Sequence, residues 1–281
     1  MTRTLVGRHA SLILDRPRIM GILNVTPDSF SDGGQFQQID RALRRAEEMV
    51  AEGADLIDVG GESTRPGAAL VSVIEELERI VPVISAIHER IDIPLSVDTN
   101  KAAVAAAALA NGADWVNDVS GLTFDVEMAA VVAAHAGGLF VMHTRGTPAQ
   151  MQQYTRYDDV VAEVMAELRV SLATALQAGI PAERLAIDPG IGFAKDLAGN
   201  LELLRRLDEF KVLDLPILLG TSRKSFIGQI LQQPHPVDRL YGTLATVALG
   251  VAKGAMLLRV HDVRAAREAA LMSWAILHGP V

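Results

Sequence analysis

The chain has 281 residues, 49% of them hydrophobic and 21% charged, with a formal net charge of −8 and no cysteine. That length buries a full core and matches one barrel domain of about 250 residues. The acidic balance argues against nucleic acid as a bulk partner, and the lack of cysteine excludes disulfides, thiolate nucleophiles and cysteine metal sites. Met1-Thr2-Arg3-Thr4 is basic but has no apolar stretch behind it, and the low-charge run Leu240–Leu258 is broken by Lys253 and three glycines. Neither a secretory leader nor a membrane span is expected, and a cytoplasmic setting is.

Two textures alternate along the chain: short β-branched runs, and alanine-rich charged stretches with helical spacing. The first predicted strand is Arg18–Asn24. A long loop, Val25–Ile39, leads to a helix over Asp40–Glu52 and a strand over Asp55–Gly61. A second long loop, Glu62–Val71, precedes a helix over Ser72–Arg90. Strand Pro94–Thr99, helix Lys101–Asn111, strand Trp115–Ser120 and helix Asp125–Ala136 follow. Then come strand Gly138–Thr144, helix Asp158–Ala178, strand Leu185–Ile191 and helix Gly199–Phe210. Strand Pro216–Ser222, one helical segment from there to Lys253, strand Ala255–Asp262 and helix Val263–Leu277 complete the chain. Gly53, Gly112, Gly137, Gly179 and Gly254 each stand just before a strand, where a helix ends in the left-handed conformation. Eight similar strand–helix units without a linker predict a single-domain α/β chain, a closed (β/α)8 TIM barrel, over a doubly wound sheet. The two long loops carry small polar residues and glycine, the composition of lids that close on a ligand.

Barrel strands are covered on both faces, so their polar residues stand out. Asn24, Asp58 with Glu62, Asp98, Asn117 with Asp118, His143, Asp188, Ser222, and Arg259 with His261 all fall at C-terminal strand ends, where barrel enzymes place their chemistry. Asp118 and Asp262 also suit helix caps, Asp55 and Asp114 lie at the opposite rim as structural residues, and His143 alone suits a satisfied core histidine. Together the group is too polar to bury without a purpose. Ser222-Arg223-Lys224-Ser225 sets cations against a helix N-terminus, which opposes the macrodipole unless an anion sits between them. Arg259 and His261 would face the same spot. Asp98, Asn117 and Asp188 could read the edge of a flat heterocycle such as a 2-amino-pyrimidinone, whose parallel N–H groups suit a carboxylate. The pocket therefore reads as an acidic cavity beside a cationic rim.

These stretches resemble the dihydropteroate synthases. The resemblance rests on Gly21-Ile22-Leu23-Asn24-Val25-Thr26-Pro27-Asp28-Ser29-Phe30-Ser31-Asp32-Gly33-Gly34 and on Asp58-Val59-Gly60-Gly61-Glu62-Ser63-Thr64-Arg65-Pro66-Gly67. Ser96-Val97-Asp98-Thr99, Asn117-Asp118, Met142-His143, Asp188 to Lys195, Ser222 to Ser225 and Arg259 to Asp262 follow in the same order. The resemblance implies condensation of a dihydropterin methyl diphosphate with 4-aminobenzoate, in folate biosynthesis, by a homodimer that uses Mg2+ and is inhibited by sulfonamides. It implies that Asp98, Asn117, Met142, Asp188, Phe193, Gly220 and Lys224 hold the pterin. Thr64, Arg65, Pro66, Phe193 and Ser222 would hold 4-aminobenzoate. Asn24, Arg259 and His261 would hold the diphosphate, with Asn24 on the metal, and Lys224, Arg259, His261 and Asp98 would carry the catalysis. A methyltetrahydrofolate-type methyltransferase would share the deep acids but not the cationic rim. A non-catalytic pterin-binding paralogue would have lost rim residues that are present here.

Overall fold

The computed structural model describes residues 3–25, 35–63 and 71–279. An antiparallel hairpin, β1 (Arg3–Val6) and β2 (Ser11–Leu14), comes first, followed by β3 (Arg18–Asn24) and α1 (Gln35–Glu52). The chain continues through β4 (Leu56–Gly60), α2 (Val73–Arg90), β5 (Leu95–Asp98), α3 (Ala102–Ala110), β6 (Trp115–Asp118), α4 (Met128–Ala134) and β7 (Gly138–Met142). It ends with α5 (Val160–Gln177), β8 (Leu185–Asp188), α6 (Leu197–Arg205), β9 (Ile217–Leu219), α7 (Ser225–Leu231), α8 (Leu240–Lys253), β10 (Ala255–Val260) and α9 (Val263–His278). Strands β3 to β10 form a closed parallel barrel in chain order, and β10 pairs with β3 to seal it.

The eight expected strands are all present, shorter at their ends by up to three residues. The expected segment from Ser222 to Lys253 is not one helix. It breaks at Gln232, where the backbone turns left-handed at φ 56°, and a 3-10 turn over Pro236–Arg239 precedes α8. The helix expected over Gly199–Phe210 starts earlier, at Leu197, because Asp196 caps it by accepting from the Gly199 N–H at 2.7 Å. Gly53, Gly112, Gly179 and Gly254 do take positive φ, but at the fourth junction Ala136 takes it (φ 53°) in place of Gly137.

Alternation along each strand splits the core in two. Outward residues such as Ile19, Leu23, Val59, Val97, Val116, Leu139, Ile187, Leu219 and Leu258 pack under the helices. Inward residues at the lower end, Met20, Leu56, Trp115, Phe140, Ala186, Leu218 and Leu257, form a separate cluster with Leu5, Leu12 and Leu14 of the hairpin. The hairpin therefore plugs the N-terminal mouth. It is held there by Asp114, whose Oδ1 accepts from the backbone N–H groups of His9 and Ala10 at 2.8 and 2.9 Å, and whose Oδ2 accepts from Leu95 N–H at 3.1 Å. Asp55 ties the same rim through Arg16, Arg18 and the Ile19 N–H. Both acids are structural, as the sequence suggests.

Among the described residues no helix is long and apolar enough to cross a membrane. Most of both long loops, including Phe30, Thr64, Arg65 and Pro66, lies outside the described residues. Asp114→Ala leaves three backbone donors without an acceptor, and the expected cost is about 2–4 kcal/mol. Urea unfolding would show a lower midpoint, and hydrogen exchange would show faster loss of protection in residues 3–14. Unchanged hairpin protection would count against the tether.

Candidate active site

At the upper end of the barrel the inward positions are Asn24, Gly60, Asp98, Asn117, Met142 and Asp188, with Gly220 just past β9 and Arg259 on β10. Parallel registers set Asn24 beside Gly60, Gly60 beside Asp98, Asp98 beside Asn117, and Met142 beside Asp188. Asp98, Asn117, Met142 and Asp188 are all buried.

Arg259 reaches across this cavity. Its Nε donates to Asp58 Oδ2 at 2.6 Å and its Nη2 to Asp98 Oδ2 at 2.6 Å. Asp58, fully buried one level lower, also accepts from Asn117 Nδ2 at 3.0 Å. Burial opposes the Arg259 charge, but Asp58 and Asp98 outweigh it and the guanidinium is held above its ordinary value. Burial pushes Asp98 above the ordinary carboxylate range, with Arg259 acting against the rise. Asp188 is likewise raised by burial, and the Gly190 N–H, 2.7 Å from its Oδ1, counters that. Its Oδ2 looks toward Gly220, where a Cβ would stand 3.6 Å away. The Lys224 ammonium lies 4.0 Å from the centroid of the Phe193 ring, a cation–π contact. Burial lowers Lys224 to about 8, and Asp188 opposes the fall.

On the opposite wall, the Ser222 hydroxyl accepts from the His261 backbone N–H at 3.1 Å and meets His261 Nδ1 at 2.9 Å. The cationic rim is narrower than the sequence suggests. Arg223 takes φ 58°, which swings its side chain away from the cavity onto Asp262, at 3.0 Å from Nε to Oδ2 and 2.5 Å from Nη2 to Oδ1. Asp262 is therefore an ion-pair partner and makes no side-chain cap to α9. Arg259 faces the acids and not the Ser222–Lys224 turn. Glu62 also leaves the cavity: it accepts from the Val71 N–H at 2.8 Å and pairs with Lys101, which in turn meets the buried Glu76. Asp118 braces its own turn, accepting from Ser120 and Leu122.

Among the described residues no group of three or more histidines and acids could hold a metal. The space over Gly60 is the one cradle for a cation that the expected residues define: a Cβ there would stand 3.7 Å from both Asn24 Oδ1 and Asp98 Oδ2. Asp98 Oδ2 already accepts from Arg259 there, so Asn24 Oδ1 is the oxygen left for a hard cation that takes waters and phosphate oxygens as its other ligands.

A family model described as pterin binding enzyme matches residues 20–261. The chain belongs to the pterin-binding enzyme family. Within that family, the dihydropteroate synthase of Synechocystis sp. is 51% identical over 250 residues, covering 89% of this chain and 86% of the relative. The fold superposes with a TM-score of 0.93 on the dihydropteroate synthase of Xanthomonas albilineans with 4-aminobenzoic acid, at 44% identity and full coverage of both chains. It superposes at 0.89 on the Clostridium difficile enzyme crystallised in the presence of pteroic acid, at 48% identity, covering 93% of this chain and 97% of that one.

Two features of this pterin-family barrel escape the motif reading. One is the clamp on Arg259 by Asp58, whose place on the inward face follows from alternation with Leu56. The other is a polar chain behind the cavity. Lys195 Nζ donates to the Phe193 carbonyl at 2.8 Å and meets His143 Nδ1 at 3.0 Å. His143 Nε2 meets Glu167 Oε2 at 2.9 Å, and Arg145 fixes Glu167 through Nε at 3.0 Å. No sequence spacing announces Glu167, which comes from the middle of α5.

Burial, reinforced by Lys195, lowers His143 to about 4. The hydrogen bond from His143, with Arg145 adding to it, lowers Glu167 to about 2. Both groups have depressed folded values, so their stabilisation is complete above their unfolded values and is lost as pH falls. For His143 the loss runs from about pH 6.5 down to about 4 and amounts to about 3 kcal/mol. For Glu167 it continues from about 4.5 to about 2. His143→Gln is expected to flatten the stability profile between pH 6.5 and 4.5 in urea titrations. An unchanged slope would show that His143 titrates normally.

Proposed function

We propose that this barrel is a dihydropteroate synthase, a transferase of folate biosynthesis that joins a dihydropterin methyl diphosphate to 4-aminobenzoate and releases diphosphate. The observation that carries the reading is the divided cavity. Asp98, Asn117 and Asp188 sit at one level, and Lys224, Ser222 and His261 line the β9–β10 side. Asp188 Oδ2 and the Asn117 amide suit the amino-pyrimidinone edge of the pterin. Met142, Gly220 and Phe193 would bound the pterin ring beside them. Ser222 and Phe193, with Thr64, Arg65 and Pro66 from the second long loop, would receive 4-aminobenzoate.

In the reaction the C–O bond to the diphosphate breaks and its electron pair leaves with the diphosphate. The methylene becomes cationic, a state favoured by the acids Asp98 and Asp188. The neutral aromatic amine then forms the C–N bond and loses its proton to solvent. Lys224 and His261 would stabilise charge on the departing oxygens, the preorganised electrostatic contribution that is commonly the largest in such sites, and Arg259 would have to release Asp98 to join them. Asn24 would hold a magnesium ion beside the diphosphate, and that ion would supply further charge neutralisation there. A methyltransferase of the same fold releases no diphosphate and has no use for this cationic side.

Diphosphate release should require both substrates together. Lys224→Ala should lower kcat/KM by about 2–4 kcal/mol, roughly 30- to 1000-fold, while the fold is kept. Activity within a few-fold of wild type would remove Lys224 from the site. Arg259→Ala is a less clean test than the motif suggests, because it leaves Asp58 and Asp98 buried without their cation and should also cost about 3–5 kcal/mol of stability.

The expected small-molecule partners are thus the dihydropterin diphosphate and 4-aminobenzoate, in a cytoplasmic setting. Helices α8 and α9 lie against each other and expose Tyr241, Leu249, Met272 and Ile276 at 60–82%. Exposed apolar side chains on two neighbouring helices fit a second copy of the chain. Sedimentation equilibrium should give a homodimer, and Leu249→Glu with Ile276→Glu should give a monomer. A wild-type monomer at micromolar concentration would refute this surface.

A further inference from the structure

Lys195 is nearly fully buried at 3% exposure, yet it has no place in the substrate contacts described above. It follows the β8 loop that carries Asp188 at one end and Phe193 near the other. Inside that loop Gly190 takes φ 72°, and a Cβ there would stand 1.9 Å from the His143 carbonyl oxygen and 3.3 Å from Lys195 Nζ. The loop is therefore pressed onto the end of β7, with the lysine amine beneath it. Two of the amine's hydrogen bonds are fixed, one to the Phe193 carbonyl and one to His143 Nδ1. Tyr157 pins the same loop from outside by donating to the Ala194 carbonyl at 2.9 Å.

We propose that Lys195 is a positioning residue for Asp188: a buried counter-charge beneath the 188–196 loop that exchanges its proton with solvent through His143 and Glu167. The proposal rests on the pterin reading of the cavity. An ionised Asp188 accepts N–H bonds without presenting an O–H donor of its own to them, and its burial works against ionisation. A cation fixed behind the loop counters that without occupying the cavity, which Lys224 and Arg259 border from the front. The route outward is continuous. A donor at Lys195 leaves His143 Nδ1 as acceptor and Nε2–H as donor to Glu167, whose side chain is 42% exposed. His143 and Glu167 also border a cleft of about 180 Å3 on the outer side of β7.

The charged groups around the amine set the direction of its response. Asp188 on β8 and Glu167 on α5 favour the ammonium. Lys224 before α7 and Arg145 after β7 oppose it, and His143 at the end of β7 is neutral above about pH 4. Burial is the largest influence and brings Lys195 to about 7, so its charge is adjustable near neutrality. A pterin donating N–H groups to Asp188 fixes that residue as a carboxylate, and the ammonium beneath then gains a full negative neighbour. Pterin binding and Lys195 protonation therefore reinforce each other, and by reciprocity the affinity falls as pH rises through the lysine's transition.

The chain has five lysines, Lys101, Lys195, Lys211, Lys224 and Lys253, so the test can be direct. In protein labelled with 13Cε-lysine, Lys195→Arg removes one resonance and assigns it. That resonance is then followed from pH 6 to 10 with and without pterin-6-carboxylate. The expected result is a midpoint at least half a pH unit higher in the complex, and a smaller displacement overturns the proposal. Calorimetry on Lys195→Met at pH 7 should show pterin-6-carboxylate bound at least five-fold more weakly, and a smaller loss likewise overturns it. Should Lys195→Met fail to fold, the wild-type titration decides alone. If the wild-type chain does not bind the pterin at all, the reading of the cavity fails first and the proposal falls with it.

Discussion

Closure of the sheet between β10 and β3 is the constraint on which the site depends. It brings Arg259 within 2.6 Å of Asp58, a residue 201 positions away in sequence, and within 2.6 Å of Asp98 on the next strand but one from β3. Three strands from opposite ends of the chain are thus tied at cavity level by one guanidinium. Taking a charge out of water is costly unless it is paired and hydrogen-bonded. Here the planar fork of arginine donates to two carboxylates at once, and Asn117 adds a second donor to the same Asp58 oxygen from β6. A lysine could not span the same geometry with fixed donors.

The same logic governs the other half of the cavity. Asp58, Asp98 and Asp188 are balanced by Arg259, Lys224 and Lys195, each cation reaching the centre from a different direction. Arg259 crosses the interior, Lys224 leans over Phe193, and Lys195 lies behind the loop. The balance does not treat all members alike: Arg259 stays charged, held above its ordinary value by its two acids. Burial pulls Asp188 up and both lysines down. A ligand that donates to one acid is felt by every member of the set.

Much of this architecture is legible in the sequence because it follows from period-2 alternation inside a repeated unit. Asp98, Asn117 and Asp188 fall on inward positions that parity alone predicts, and glycines mark the junctions before most strands. Other features need three-dimensional information. The β1–β2 hairpin, two strands of four residues each, is too short to stand alone without Trp115 and Phe140 beneath it. Arg223 and Lys224 are neighbours with equal charge, and only the left-handed turn at Arg223 sends one to Asp262 and leaves the other at the cavity. Glu167 lies on a helix face indistinguishable from any solvated one until His143 meets it.

The hairpin plug has a consequence for traffic. Among the described residues Leu5, Leu12 and Leu14 fill the lower mouth against Met20, Leu56 and Trp115, so the barrel is a blind well, closed at that end. A blind well fills from the bottom. Any ligand seated on Asn117 and Asp188 must arrive before whatever stands above it, and whatever is joined on top must leave by the same door as one piece.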